Sequence, residues 1–256
     1  MKRLLAAAVT AAALIPAVPA QAAVDPVTAL KRQFAPGHGV TISETARIES
    51  KRSRDDEVTR MAGSVEFGAS GPVAADVVFR TVGEDDSRQR WISVGGKVYV
   101  QAADLADDLP FGRTWVLMEH LKGSVITSAQ PVDVLRPTTV KTLLAHAGSL
   151  RDGLRQGALT PAQARGTGAY EAFSFRLGLN SQALPDRVVT GQNGTPGSRS
   201  TVETRLSGWG ARVSVKAPPV DEVITYKDLV AEKRARAERL SQAIPDGSTS
   251  SLGLFD

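Results

Sequence analysis

Cysteine is absent from all 256 residues. That absence removes disulfides, thiolate metal sites, cysteine nucleophiles and any lipid anchor built on an acylated cysteine, so the fold must be held by its core alone. Histidine is scarce: His38, His120 and His146 stand far apart and share no metal-ligand spacing. No G-x-S-x-G elbow occurs, and a serine hydrolase of that kind needs its nucleophile on such a strained turn. The glycine pairs in Gly166-Thr167-Gly168 and Gly208-Trp209-Gly210 do not open a helix after a strand. They therefore read as turns or bulges rather than phosphate cradles. The acidic clusters Asp55-Asp56-Glu57, Glu84-Asp85-Asp86 and Asp107-Asp108 fall between strand signals and lack the spacing of a calcium loop, which makes them solvated tips. No catalytic residue, metal site or cofactor is expected.

Charge of one sign is also missing. The 31 basic and 27 acidic side chains leave +4, and about +2 without Lys2 and Arg3. Basic residues do not interleave with aromatics in a base-stacking pattern, so nucleic acid is not an expected partner. A membrane-spanning run of roughly 20 apolar residues is absent too.

The first residues carry a different signal. Met1-Lys2-Arg3 is followed by an apolar run over residues 4–18 and then by Ala20-Gln21-Ala22, the charged, apolar and small-residue zones of a secretory leader in order. The expectation is a signal peptide over residues 1–22, cleaved after Ala22, and a secreted, extracellular protein. About 234 residues then remain, enough for one domain over 23–244, with a disordered tail over 245–256.

Asp25-Pro26 pairs an N-cap with proline at the first helical turn and predicts a short helix through Phe34. From Val40 the period becomes two, and strands are predicted over 40–48, 64–67, 76–82, 90–94, 97–101 and 114–118. Gly95-Gly96 is the clearest hairpin turn. Val140, Leu143, Leu144 and Ala147 recur at helical spacing, predicting a helix over 138–147 capped by Thr138 or Thr139. Residues 149–168 read as a helical turn and a mobile loop, after which strands return over 170–177, 186–192, 200–207 and 211–215. Pro218-Pro219 ends the last of these, and a charged helix follows, with Glu232 and Arg236 as an i,i+4 pair. The predicted fold is α+β: a strongly curved antiparallel half-barrel of about ten strands, with helices on its concave face.

Three stretches carry a family resemblance: WISVGGKVYVQ (91–101), GRTWVLM (112–118) and RLSGWGARVSVKAPPVDEVITYKDL (205–229). They resemble the actinobacterial lipoproteins of the LppX and LprG type, which are LolA/LolB-like lipid-binding half-barrels. None of the three is a catalytic signature. The chain departs from those relatives in lacking their N-terminal anchoring cysteine, so the resemblance implies a freely diffusing member.

The sheet sets Val77 and Phe79 against Val78 and Arg80, and Tyr170 and Ala172 against Phe173 and Phe175, so one face is apolar. Two fillings of that face stay open at this point: its own helices alone, or a guest that completes the interior. The resemblance favours the guest, and burying an alkyl chain gains roughly 0.8 kcal/mol per CH₂. The expected activity is non-enzymatic binding or carriage of a lipid or other apolar molecule in the cell envelope, including peripheral contact with it. The expected ligand-binding residues are Phe79, Val98, Val100, Leu143, Leu144, Phe173 and Phe175, with the loop 149–168 as gate. The rival expectations are a secreted protein–protein interaction module with a filled core and, behind it, an envelope hydrolase.

Overall fold

Alternating apolar and polar residues carry strand after strand into one sheet. A computed structural model of the chain describes residues 24–50, 56–83, 88–121, 128–194 and 197–243. The expected leader, the expected tail and the Glu84-Asp85-Asp86 cluster lie outside them. The strands are β1 (His38–Ser50), β2 (Glu57–Gly68), β3 (Gly71–Thr81), β4 (Gln89–Val94), β5 (Lys97–Ala102), β6 (Trp115–Leu117), β7 (Ala147–Arg151), β8 (Leu154–Leu159), β9 (Phe173–Leu179), β10 (Pro185–Asn193), β11 (Ser198–Arg212) and β12 (Val223–Thr225). Their order across the sheet is β12-β6-β5-β4-β3-β2-β1-β11-β10-β9-β8-β7. Among the described residues every pairing is antiparallel except β12 with β6. The fold is thus the predicted α+β curved open sheet, with twelve strands among the described residues rather than about ten.

Curvature follows from width and from glycine. Sheets this wide coil or curl under their own twist. Gly63 on β2 and Gly157 on β8 stand at inward positions where a Cβ would run into the Val77 backbone and the Phe175 ring respectively. Glycine there lets strands close together on the concave side. The concave face carries the main core: Val40 and Ile42, Met61, Val65 and Phe67, Val77, Phe173, Phe175 and Leu177, and Val188.

Helices α1 (Pro26–Arg32) and α2 (Pro137–Ala145) lie on this face, as predicted. Leu30 of α1 and Val140 of α2 meet in one buried cluster with Leu184, and Leu143 joins the main core. Asp25 caps α1 by accepting from the Thr28 amide at 2.9 Å and the Thr28 hydroxyl at 2.8 Å. The hydroxyl bond first, and the amide bond with it, hold the Asp25 carboxyl below its ordinary range. A depressed folded-state value means that the cap contributes above the ordinary aspartate range and is lost as pH falls through the depressed one. An NMR titration of the Thr28 amide is expected to show its midpoint below the ordinary aspartate value. A midpoint at or above that value would mean that no cap forms.

Several predictions about elements are corrected. The cap of α2 is Arg136, with Pro137 in the first turn. Thr139 instead faces inward, fully buried, and its hydroxyl has no partner among the described residues. Residues 149–168 are not a mobile loop. They hold most of the β7–β8 hairpin and α3 (Pro161–Ala164), whose Thr160–Gln163 capping box is complete. Asp152 and Gly153 both have positive φ, 52° and 75°, as a tight type I′ hairpin turn requires.

The two strands predicted over 200–215 are one, β11. Register jumps from Gly39↔Ala211 to Thr41↔Ser207, so Gly208-Trp209-Gly210 forms a bulge opposite Val40. Glu232 and Arg236 are both exposed, and the ion pair recorded for α4 (Tyr226–Ala243) runs from Lys233 to Asp108 at 2.6 Å. Leu229 docks α4 on Val116 of β6 and Ile224 of β12, at the sheet edge.

Candidate functional site

The hairpin turn at Gly95-Gly96 fixes which side chains share the concave face at one end of the sheet. It pairs Val94 with Lys97, which sets Trp91 opposite Val100 and Ser93 opposite Val98. Across β3, Val77 stands opposite Trp91. Val98, Val100 and Ala102 are buried there, and half-buried Trp91, Leu105, Met118 and Leu121 pack against them. Phe79 meets Trp91 edge to face, with ring centroids 5.8 Å apart.

All seven predicted ligand-binding residues lie on the concave side, but in two groups. Leu143, Phe173 and Phe175 belong to the main core and expose only 0%, 3% and 2% of their surface. Leu144 and Phe79 pack on the same core from partly open positions. Val98 and Val100 form the separate group described above, and Trp91 touches both. The expected gate does not stand over either group as a loop, because β7 and β8 extend the sheet beyond β9.

Trp91, Met118 and Leu121 were not foreseen. The two-residue turn was the available signal for Trp91, since it forces that ring onto the face of Val98 and Val100. Also unforeseen was a strap over residues 128–136 that crosses the concave face. Its Val132, Val134 and Leu135 enter the main core.

The strap is tied down by a buried polar network around Glu44, which sits at an inward position of β1 between Ile42 and Ala46 and is 5% exposed. The Glu44 carboxylate accepts from the Ser128 hydroxyl, the Ala129 amide at 2.8 Å and the Thr204 hydroxyl at 2.9 Å. Gln130 Nε2 donates to Thr204 Oγ1 at 2.9 Å, while its Oε1 accepts from Thr190 Oγ1 at 2.6 Å. An acid at this depth needs such donors, because an unpaired buried carboxylate is strongly disfavoured.

The convex face is covered at one end. Val215, just beyond β11, packs there on Ile92 of β4, Tyr99 of β5 and Trp115 of β6. Arg90 lies 5.5 Å from the Trp115 ring centre and grips Asp76 with bonds of 2.9 and 2.7 Å. The Asp76 hydrogen bond raises the Arg90 pKa against the effect of burial. Burial pushes Glu203 upward, but hydrogen bonding from Arg187 and the charges of Arg187 and Arg205 outweigh it and hold the carboxyl below its ordinary range.

The histidines stay dispersed. His38, His120 and His146 are exposed; His120 meets the Tyr226 ring and His146 Nδ1 lies 3.0 Å from the Thr142 carbonyl oxygen. Among the described residues, no group of three or more metal-ligating side chains comes together. No described helix is long and apolar enough to cross a membrane.

No family model matches the chain. No curated protein matches it either. Among solved structures, the chain is similar to a LolA superfamily protein from Nitrosomonas europaea, with 11% identity and a TM-score of 0.33 over 76% of this chain and 93% of that one. It is also similar to a DUF1329 family protein from Desulfovibrio piger, with 10% identity and a TM-score of 0.24 over 75% of this chain and 96% of that one. Both likenesses concern the fold alone.

Proposed function

We propose that the chain is a secreted, non-enzymatic binder or carrier of a lipid or another apolar molecule, in line with its resemblance to LppX and LprG type proteins. The guest would enter at the β3–β5 end of the concave face. One observation carries this reading: an apolar strip of half-buried Phe79, Trp91, Met118 and Leu121 continues into the buried Val98, Val100 and Ala102. Half-buried aromatic surface on the inside of a curved sheet gains by covering, at roughly 25 cal/mol per Å². Leu143, Phe173 and Phe175 then act as the packed floor, not as the first contacts.

Near-zero exposure of that floor supports a second reading, in which the interior is already filled and the protein works through its surface. A titration with a fluorescent long-chain fatty acid separates the two. Saturable binding with quenching of Trp91 is expected, and Phe79→Ala or Trp91→Ala should weaken it about tenfold each, the worth of one large apolar contact. Absence of saturable binding, together with a single ligand-free mass for protein purified from its own host, would leave the interaction module.

A further inference from the structure

We infer that the convex face of the six central strands, β9, β10, β11, β1, β2 and β3, binds a linear phosphate-bearing polyanion. The surface lies on the opposite side of the sheet from the apolar strip, so the inference is independent of the reading above. Strand register places the outward side chains in rows. One row runs Arg176, Val189, Glu203, Thr45, Arg60, Arg80 across all six strands. At about 4.8 Å per strand it spans about 24 Å. The next row sets Arg187 beside Arg205, then Ser43. Arg47 and Arg199 flank them on β1 and β11.

Three features of this face point to an anion. Lysine does not occur in any of the six strands, so every cation is a planar guanidinium, the group that matches phosphate oxygens two at a time. Arg60 and Arg80 stand directly opposite each other and are exposed, and neither has an ion pair or hydrogen bond among the described residues. Like charges in that position destabilise a sheet, so folding alone does not account for them. Arg176 and Arg199 are likewise exposed and unpaired among the described residues.

The carboxylates of this side are mostly engaged: Glu66 accepts from the Val215 amide at 2.8 Å, and Asp76 is held by Arg90 at 2.9 and 2.7 Å. Asp56 pairs with Arg47 at 3.1 Å, and Glu203 bridges Arg187 and Arg205 at 3.1 and 2.8 Å. Glu49 lies opposite Arg199, and Asp186 stands at the rim. Between β1 and β11 a hollow of about 500 Å³ runs past Ser43, Thr45 and Thr201, whose hydroxyls add donors between Arg47 and Arg205, with Glu44, Glu49 and Glu203 also on its lining.

The occupant is narrowed by what the face omits. Its outward positions carry no aromatic ring for stacking a base, and the exposed large apolar side chains of these strands, Ile48 and Val73, stand singly near strand ends, too few to enter a bilayer. A flexible chain with repeated phosphates and no bases fits best.

The test uses the full-length protein and inorganic polyphosphate at low salt. Saturable binding is expected, at least tenfold weaker in the Arg60→Ala/Arg80→Ala variant and strongly weakened by raising salt from about 0.05 to about 0.5 M. Arg60→Lys/Arg80→Lys should recover only part of the loss, and Glu203→Gln should strengthen binding by freeing two guanidinium groups. Failure to bind polyphosphate, or equal binding by the double alanine variant, overturns the inference. So does tighter binding to phosphatidylglycerol vesicles or to single-stranded DNA, which would give the face to a membrane or to nucleic acid. A melting temperature that falls in the double variant would make the two arginines structural and overturn it as well.

Discussion

A Gly63→Ala variant is expected to lose about 3 kcal/mol of folding stability, at the upper end of overpacking effects. The added Cβ would fall on the Asp76 carbonyl oxygen and lie 2.7 Å from the Val77 Cα. These are backbone atoms of the paired strand, so no rotamer change relieves the contact. β2 and β3 would have to separate where Gly63 pairs with Val77. Alanine at Gly95 meets open space and is strained only by its φ of 59°, which costs on the order of 1 kcal/mol. Urea unfolding of both variants gives the comparison. Equal stability of Gly63→Ala and the parent chain would mean that β2 and β3 are not pinched at that point.

The same glycines decide how far the sequence can be read. Gly95-Gly96 announces a hairpin because strong alternation flanks it on both sides, Arg90 to Val94 and Lys97 to Gln101. Asp152-Gly153 is an equally good turn, but its flanks hold only Leu150, Leu154 and Leu159 among polar residues, because β7 is an exposed edge strand with no face to bury. Gly208-Trp209-Gly210 reads as a break between strands. In three dimensions it is a bulge that turns Trp209 inward, where its ring stacks on Phe67 and its Nε1 donates to the Pro185 carbonyl at 3.0 Å.

The concave face itself was legible, since period-two alternation placed Phe79, Val98, Val100, Phe173 and Phe175 on the inside. The division of those residues into a packed floor and a half-open strip was not. That division is made by the strap over 128–136, a segment with neither helical nor strand period. Its position is set by contacts to Glu44, Thr190 and Thr204 on strands distant in sequence. Only the phase of β1 hinted at it, because Val40, Ile42 and Ala46 point inward and so must Glu44.

Glu44→Leu should therefore be the most informative single change on this face, costing about 3 kcal/mol or more. Leucine keeps the inward bulk but removes the acceptor for the Ser128 hydroxyl, the Ala129 amide and the Thr204 hydroxyl. Each buried donor left without a partner costs about 1–3 kcal/mol. Gln130 reaches the same Thr204 hydroxyl, so Gln130→Leu should cost less in the Glu44→Leu background than alone. Hydrogen exchange should rise over 128–135 while β9 and β10 stay protected. Because Val132, Val134 and Leu135 fill the groove above Phe173 and Phe175, a loosened strap should also raise binding of a fluorescent long-chain fatty acid. Unchanged exchange and unchanged stability would mean that the apolar side chains alone hold the strap, and that Glu44 is merely tolerated beneath it.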